Sequence, residues 1–207
     1  MPDPVSILTR SHPCLQPILG QVQAAFELLN TSFSNGKKLL LCGNGGSAAD
    51  CEHWAGELLK GFERERPLPA SMRGGLDEPW VDKLQWALPA IPLPSITGYG
   101  SAWCNDVDAS LVYAQLVIAL GEPGDVLAVL STSGNSKNAL LAAQTARARG
   151  LKVLALTGQS GGALAPLADV AICVSETNTA QIQELHLPVY HCICRLLENA
   201  FAQKWET

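Results

Sequence analysis

Positive charge is scarce in this chain: 14 lysines and arginines stand against 19 acidic residues, a formal net charge of −5 over 207 residues. Affinity for a nucleic acid rests on neutralising its phosphates with Lys and Arg, so this balance argues against a nucleic-acid-binding surface. Long apolar runs are missing too. None approaches the roughly 20 residues that a membrane span requires, and no membrane partner is expected. Nothing resembles a secretory signal, and the seven cysteines (14, 42, 51, 104, 173, 192 and 194) are odd in number, scattered and mostly set in apolar segments. They read as reduced core thiols of a cytoplasmic protein. Cys192 and Cys194 stand two residues apart on an expected helix, where they face different sides and make a poor metal pair. Finally, the G-x-G-x-x-G spacing is missing after the first expected strand, and no acidic residue ends a second strand about 20 residues later. A nucleotide cofactor is therefore not expected.

What the chain does have is apolar residues, 47% of the total, enough to bury one sizeable core. Residues 1–207 are expected to form a single domain, with 1–36 as an N-terminal helical extension. There Leu15, Ile18, Leu19, Val22, Ala25, Phe26 and Leu29 recur at helical spacing. Lys38 to Cys42 reads as a short strand, Gly43-Asn44-Gly45-Gly46-Ser47 as a glycine-rich turn, and Ala48 to Lys60 as a helix. Val126 to Leu130 with a helix to Arg149 repeats that unit. Lys152 to Leu156 begins a third, and Val170 to Val174 reads as a fourth buried strand. Strands alternating with helices predict an α/β fold, a parallel sheet covered on both faces. The last element, Thr179 to about Lys204, is a long helix interrupted by Pro188, whose ring removes one backbone hydrogen bond and is expected to kink it. Residues 61–95 differ: Pro67, Pro69, Pro79, Pro89, Pro92 and Pro94 accompany Trp80 and Trp86 in a long excursion, with Val81 to Leu88 as a short helix inside it.

The chemistry concentrates after the strands. Leu127 to Leu130 runs into Ser131-Thr132-Ser133-Gly134-Asn135-Ser136, four hydroxyls and one glycine just before a helix. At a helix N-terminus the first N–H groups have no partner and the dipole's positive end faces out, so such a turn suits phosphate without any lysine. Asn44 and Ser47 sit in a second turn of this kind. On the helix that follows, His53 and Glu57 share a face at i, i+4, a spacing that suits one ligand, a metal, or a solvated surface pair. The C-terminal helix supplies Gln183, Glu184, His186 and His191; a lone histidine there is also compatible with a hydrogen-bonded core residue. Asn105-Asp106 precedes a helix from Leu111 to Leu120 and reads either as its cap or as a ligand contact.

Taken together, Cys42-Gly-Asn-Gly-Gly-Ser47, His53-x-x-x-Glu57, Asn105-Asp106, Ser131-Thr-Ser-Gly-Asn-Ser136, Leu156-Thr-Gly158 and Gln181-Ile-Gln-Glu-Leu-His186 to His191 resemble the sugar isomerase (SIS) domain family, and within it the phosphoheptose isomerases. The resemblance spans nearly the whole chain apart from the proline-rich excursion. It implies a three-layer sandwich with a five-stranded parallel sheet of flavodoxin-like topology, a homotetramer, and active sites built between subunits. It assigns the sugar phosphate to Ser47, Ser131, Thr132, Ser133 and Ser136, the base to Glu57 and its acid–base partner to His191. It also implies zinc held by His53, Glu57, Gln183 and His191, with Asn44, Asp106 and Gln183 as further substrate contacts. The implied activity is ketose–aldose isomerisation of a sugar phosphate through an enediolate, with sedoheptulose 7-phosphate as substrate and D-glycero-D-manno-heptose 7-phosphate as product. A carboxylate gripped tightly by a metal is not freely basic, so coordination by Glu57 is expected to be weak and exchangeable.

Two features depart from the family pattern. Ahead of Asn105-Asp106 the chain has Ile96-Thr97-Gly98 and then Trp103, where the family places an acidic, hydroxyl-rich stretch, and the 61–95 excursion is long. Non-catalytic relatives of this fold, among them a sugar-phosphate-binding protein and a tetrameric regulator that binds a replication initiator, are the alternative that retention of Glu57 and His191 disfavours.

Overall fold

The computed structural model describes residues 3–76 and 78–202. Five strands, β1 (Leu39–Gly43), β2 (Ala90–Pro92), β3 (Val126–Leu130), β4 (Lys152–Thr157) and β5 (Val170–Cys173), form one sheet in the order β2-β1-β3-β4-β5. Every pairing in it is parallel. β1 and β3 are buried at every residue, as strands covered on both faces must be.

Side chains alternate across the sheet with the period of two that a strand dictates. Leu39, Leu41, Ala128, Leu130, Leu154 and Leu156 face one layer, built from α1 (Pro4–Ser11), α2 (Leu19–Ser34), α3 (Gly46–Leu59) and α7 (Thr179–Phe201). Leu40, Cys42, Leu127, Val129, Val153 and Ala155 face the other, built from α5 (Val112–Leu120) and α6 (Lys137–Ala148). On α6 the buried residues are Ala139, Ala142, Ala143 and Ala146, small side chains at helical spacing that let its backbone lie close to the sheet. A shorter helix, α4 (Thr97–Trp103), passes into a π turn at Cys104–Asp108 before α5.

The N-terminal region is two helices rather than one. Pro13 starts a 3-10 turn, Pro13–Ile18, that separates α1 from α2, and Leu8, Leu15, Val22 and Leu29 all enter the main core. The fifth strand lies inside the segment that read as an excursion. At three residues with a proline it carries almost no pattern, and as an edge strand it tolerates the missing N–H. The expected helix at Val81–Leu88 is instead a 3-10 turn at Pro79–Lys83. The helix placed at Leu111–Leu120 begins with a 3-10 turn whose cap is Asp108, its carboxylate accepting from Ser110 N at 2.7 Å, and not Asn105-Asp106. α7 continues through Pro188 to Phe201; its expected end at Lys204 lies outside the described residues, as do the extreme ends of 1–207. Of the thiols, Cys42, Cys51, Cys192 and Cys194 are buried, while Cys14 and Cys104 sit at the surface rather than in the core.

The segment after α3 is tied down by a buried ion pair. Arg66 and Glu198 are 0% and 2% exposed, with Nη2 2.8 Å from Oε1. Glu198 also accepts the backbone N–H groups of Phe62 and Glu63, and Arg66 donates to the carbonyls of Leu58 and Glu57 in the last turn of α3. Removing one partner strands the other charge without water, so Glu198→Ala is expected to lower unfolding stability by about 3 to 5 kcal/mol in urea titration.

A second buried polar group gives a pH signature. His186 on α7 is fully buried, its Nε2 3.3 Å from the Thr157 carbonyl and its Nδ1 without a hydrogen-bond partner. Burial pushes its pKa down from 6.5 to about 4. Between those values the unfolded chain binds a proton there and the folded chain does not, so stability falls as pH falls through that window. Compared with His186→Gln, the wild type is expected to lose about 3 kcal/mol more between about pH 7 and about pH 4 in denaturant midpoints.

Candidate active site

A parallel sheet delivers its helix N-termini to the carboxyl edge of the strands, and ligands settle where the strand order reverses. Here that point lies between β1 and β3. α3 begins after Gly45 and α6 after Ser136, and neither cap residue makes a side-chain hydrogen bond to its helix. The two ends open on one cavity of about 380 Å³ lined by Asn44, Ser47, Ser131, Thr132, Ser136 and Gln183. Among the described residues, no Lys or Arg lines it. Ser131 Oγ donates to Ser136 Oγ at 3.3 Å across the turn.

Glycines make the cradle possible. Gly45 has φ +56°, a left-handed conformation. A Cβ on Gly46 would stand 2.7 Å from the Gln183 amide, so only glycine lets that side chain lie across the start of α3, where Gln183 Nε2 donates to Ser47 Oγ at 3.4 Å. Asn44 is held by a reciprocal amide pair with Asn138, both bonds 2.9 Å.

From the cradle, α3 and α7 run side by side in the same direction. The contacts Ser47–Gln183, Asp50–Tyr190 and His53–His191 advance together along both. Their far portion holds the second half of the site. His53 Nε2 lies 3.2 Å from Glu57 Oε1 and 3.4 Å from His191 Nε2, and one donor atom from each of the three residues falls within 4.8 Å of the others. Lys60 Nζ donates to Glu57 Oε2 at 3.2 Å. Burial, with the charges of His53 and Arg195, holds the His191 pKa below the usual histidine value, so near neutrality its ring offers a lone pair.

Not every expected residue joins these two groups. Ser133 faces a neighbouring cavity with Thr132, and its hydroxyl accepts from Asn135 N at 3.1 Å. Asp106 is exposed in the π turn, bonded to Asn105, and lines neither cavity. Gln183, placed with the zinc ligands by resemblance, has its amide at Ser47 in the cradle. His191 also opens on a cavity of about 220 Å³ between α1 and α7, separate from the cradle.

Two neighbours of the cluster are not legible as motifs. Tyr190 is fully buried and stacked on Trp54, with ring centroids 5.4 Å apart and planes 14° from parallel. Its hydroxyl bridges Asp50 Oδ1 at 3.2 Å and His53 Nδ1 at 3.1 Å. The only sequence signal is spacing: Asp50 precedes His53 by three residues, on one helix face, and Tyr190 adjoins His191.

The SIS domain family model matches residues 16–80 and 86–158. A phosphoheptose isomerase of Thiobacillus denitrificans is 43% identical over 182 residues, covering 86% of this chain and 83% of its own. Among solved structures, the phosphoheptose isomerase of Neisseria gonorrhoeae superposes with a TM-score of 0.76 at 33% identity, covering 94% of this chain and 95% of that one. One from Francisella tularensis gives 0.71 at 32% identity, covering 94% and 90%. A switch-point cradle, a histidine–carboxylate cluster on the adjoining helices and these likenesses lead to one conclusion: the chain belongs to the SIS domain family and, within it, to the phosphoheptose isomerases.

Proposed function

We propose that the protein isomerises a sugar phosphate between ketose and aldose, with sedoheptulose 7-phosphate as substrate. One observation carries the reading. An uncapped, hydroxyl-lined cradle and a carboxylate–histidine cluster occupy opposite ends of α3, with Ser47 and Glu57 ten residues or about 15 Å apart along the helix. A phosphorylated sugar presents the same two ends, a dianion and a carbonyl.

In the cradle, the phosphate replaces the missing helix caps. The first N–H groups of α6, Gly46 N at the start of α3 and the hydroxyls of Ser47, Ser131, Thr132 and Ser136 donate to it, with Asn44 and Gln183 beside them. Binding at that remote end orients the reacting carbons. Glu57 takes the proton from C1 of the ketose while His191 delivers one to the carbonyl oxygen on C2, giving an enediol. Glu57 then returns the proton to C2 and the C1 hydroxyl proton passes back to His191, giving the aldose. The cluster's chemistry fits a divalent metal: two imidazole nitrogens and a carboxylate oxygen converge. His53, Glu57 and His191 would hold zinc, whereas Gln183, whose amide lies at Ser47 in the cradle, stands apart from them. Such an ion would supply positive charge for the oxygens on C1 and C2.

We also place the enzyme in the cytoplasm as a homotetramer. Leu59, Met72, Leu76, Trp80, Leu84 and Ile118 are 41–55% exposed, apolar surface that subunit contacts would cover.

Incubation with sedoheptulose 7-phosphate is expected to yield an aldose, and Glu57→Gln or His191→Gln to slow turnover by about 10²- to 10⁴-fold with folding intact. Turnover equal to wild type in both variants overturns the reading. For the cradle, Ser136→Ala is expected to weaken binding of the sugar phosphate by about 1 to 3 kcal/mol in calorimetry, the loss of a hydrogen bond to a charged group.

A further inference from the structure

The Asp50–Tyr190–His53 chain contains one hydroxyl proton and two acceptors for it. Tyr190 Oη lies 3.2 Å from Asp50 Oδ1 and 3.1 Å from His53 Nδ1. The stacking on Trp54 and full burial leave the ring no room to swing away. A phenol donates once and accepts through its lone pairs, whereas an ionised carboxylate only accepts. If Tyr190 donated to His53, Asp50 would face an oxygen lone pair across a hydrogen-bond distance with no proton between them. Donation to Asp50 makes a charge-assisted bond, roughly twice as strong as a neutral one. The Tyr190 oxygen then accepts, and His53 Nδ1 carries the ring's proton; this leaves Nε2 facing Glu57 Oε1 with no proton between them, but that contact is partly exposed to water, whereas the Tyr190 hydroxyl is buried.

That choice settles the other edge of the ring. With Nδ1 protonated, Nε2 holds a lone pair, and Nε2 is the atom 3.2 Å from Glu57 Oε1 and 3.4 Å from His191 Nε2. We infer that Asp50 and Tyr190 are positioning residues that lock His53 in the Nδ1–H tautomer and thereby aim its Nε2 lone pair at the point shared with Glu57 and His191, completing a divalent-cation site. The opposite tautomer would place an N–H between the ligands and spend it on a His53–Glu57 hydrogen bond. A carboxylate orienting an imidazole is the familiar outer support of a histidine ligand; here a tyrosine hydroxyl is inserted between the two. The inference rests on reading the cluster as a metal site.

The test uses the full chain labelled with ¹⁵N-histidine. There are four histidines, and His53→Gln identifies the signal of interest. In the metal-free wild type, long-range proton–nitrogen correlation is expected to show His53 protonated at Nδ1. Tyr190→Phe keeps the ring stacked on Trp54 and removes only the hydroxyl; Asp50→Ala keeps the hydroxyl and frees it to donate to Nδ1. Both are expected to move His53 to the Nε2–H form and to weaken Zn²⁺ binding, measured by competition with a chromophoric chelator, by about 10- to 100-fold. A wild type already in the Nε2–H form overturns the inference, as does a variant pair with unchanged tautomer and affinity, or a wild type that binds no Zn²⁺. Turnover is not read in this experiment. An active isomerase whose His53 ignores both variants overturns the positioning role and leaves the reaction standing. A tautomer switch with weakened Zn²⁺ binding in a chain that does not isomerise supports the positioning role and removes the reaction.

Discussion

Helix ends that cannot satisfy themselves are the constraint on which this molecule depends. Every α-helix begins with N–H groups that lack intrahelical partners, and a parallel sheet gathers those beginnings at one edge. α7 resolves its own start locally, through Asn178 accepting from Ala180 and Gln181. α3 does so only in part, Ser47 N and Ala48 N donating to the carbonyls of Asn44 and Gly45, and at neither α3 nor α6 does the cap position, Gly45 or Ser136, supply a side-chain bond. The reversal of strand order between β1 and β3 brings these two ends to one cavity, which becomes electropositive with no cation among the described residues of its lining. A net charge of −5 is therefore no obstacle to binding an anion, because the local field comes from oriented backbone.

The same arrangement determines where chemistry is placed. Because α3 and α7 leave the cradle together, residues at matching depths on the two helices meet: Ser47 with Gln183 near the start, then Asp50 and His53 with Tyr190 and His191. The cluster's geometry then depends on how firmly the far end of α3 is held. Arg66 donates to the carbonyls of Glu57 and Leu58, supplying the positive charge that a helix C-terminus favours, while Glu198 anchors the guanidinium from α7. The segment that follows α3 is thus a clamp across the two site-bearing helices, and its proline-rich sequence suits a path fixed by side chains instead of by regular secondary structure.

Much of this was legible in the residues. Buried strands such as Val126–Leu130 announce themselves by continuous apolar runs, and the cradle by hydroxyls and glycines at their ends; β1, β3, β4 and β5 lie within a residue of where the pattern puts them. β2 was not legible, since Ala90–Pro92 is short and its neighbours in the sheet, not its own propensity, make it a strand. Asp108 rather than Asn105 or Asp106 caps the turn before α5, because the chain takes a π turn that no local spacing foretells. His53, Glu57 and His191 were visible as residue types at helical spacing, but their meeting depends on the register of α3 against α7. Tyr190 was invisible for a related reason: an aromatic residue among Val189, Cys192 and Ile193 is indistinguishable in sequence from core.

Glu57 carries opposing demands, and the structure shows how its two oxygens are divided. Oε1 faces His53 and Oε2 faces the exposed ammonium of Lys60. The Lys60 contact is a solvent-exposed ion pair, the kind that contributes little and yields easily. The constraint from His53 is of a different kind, set by a ring held through buried Tyr190. The oxygen best able to reach a substrate carbon is therefore Oε2, released by movement of one flexible surface side chain, while Oε1 stays committed to the cluster. On the proposed reading, such a division lets Glu57 serve as ligand on one side and base on the other, with a weak ligand bond.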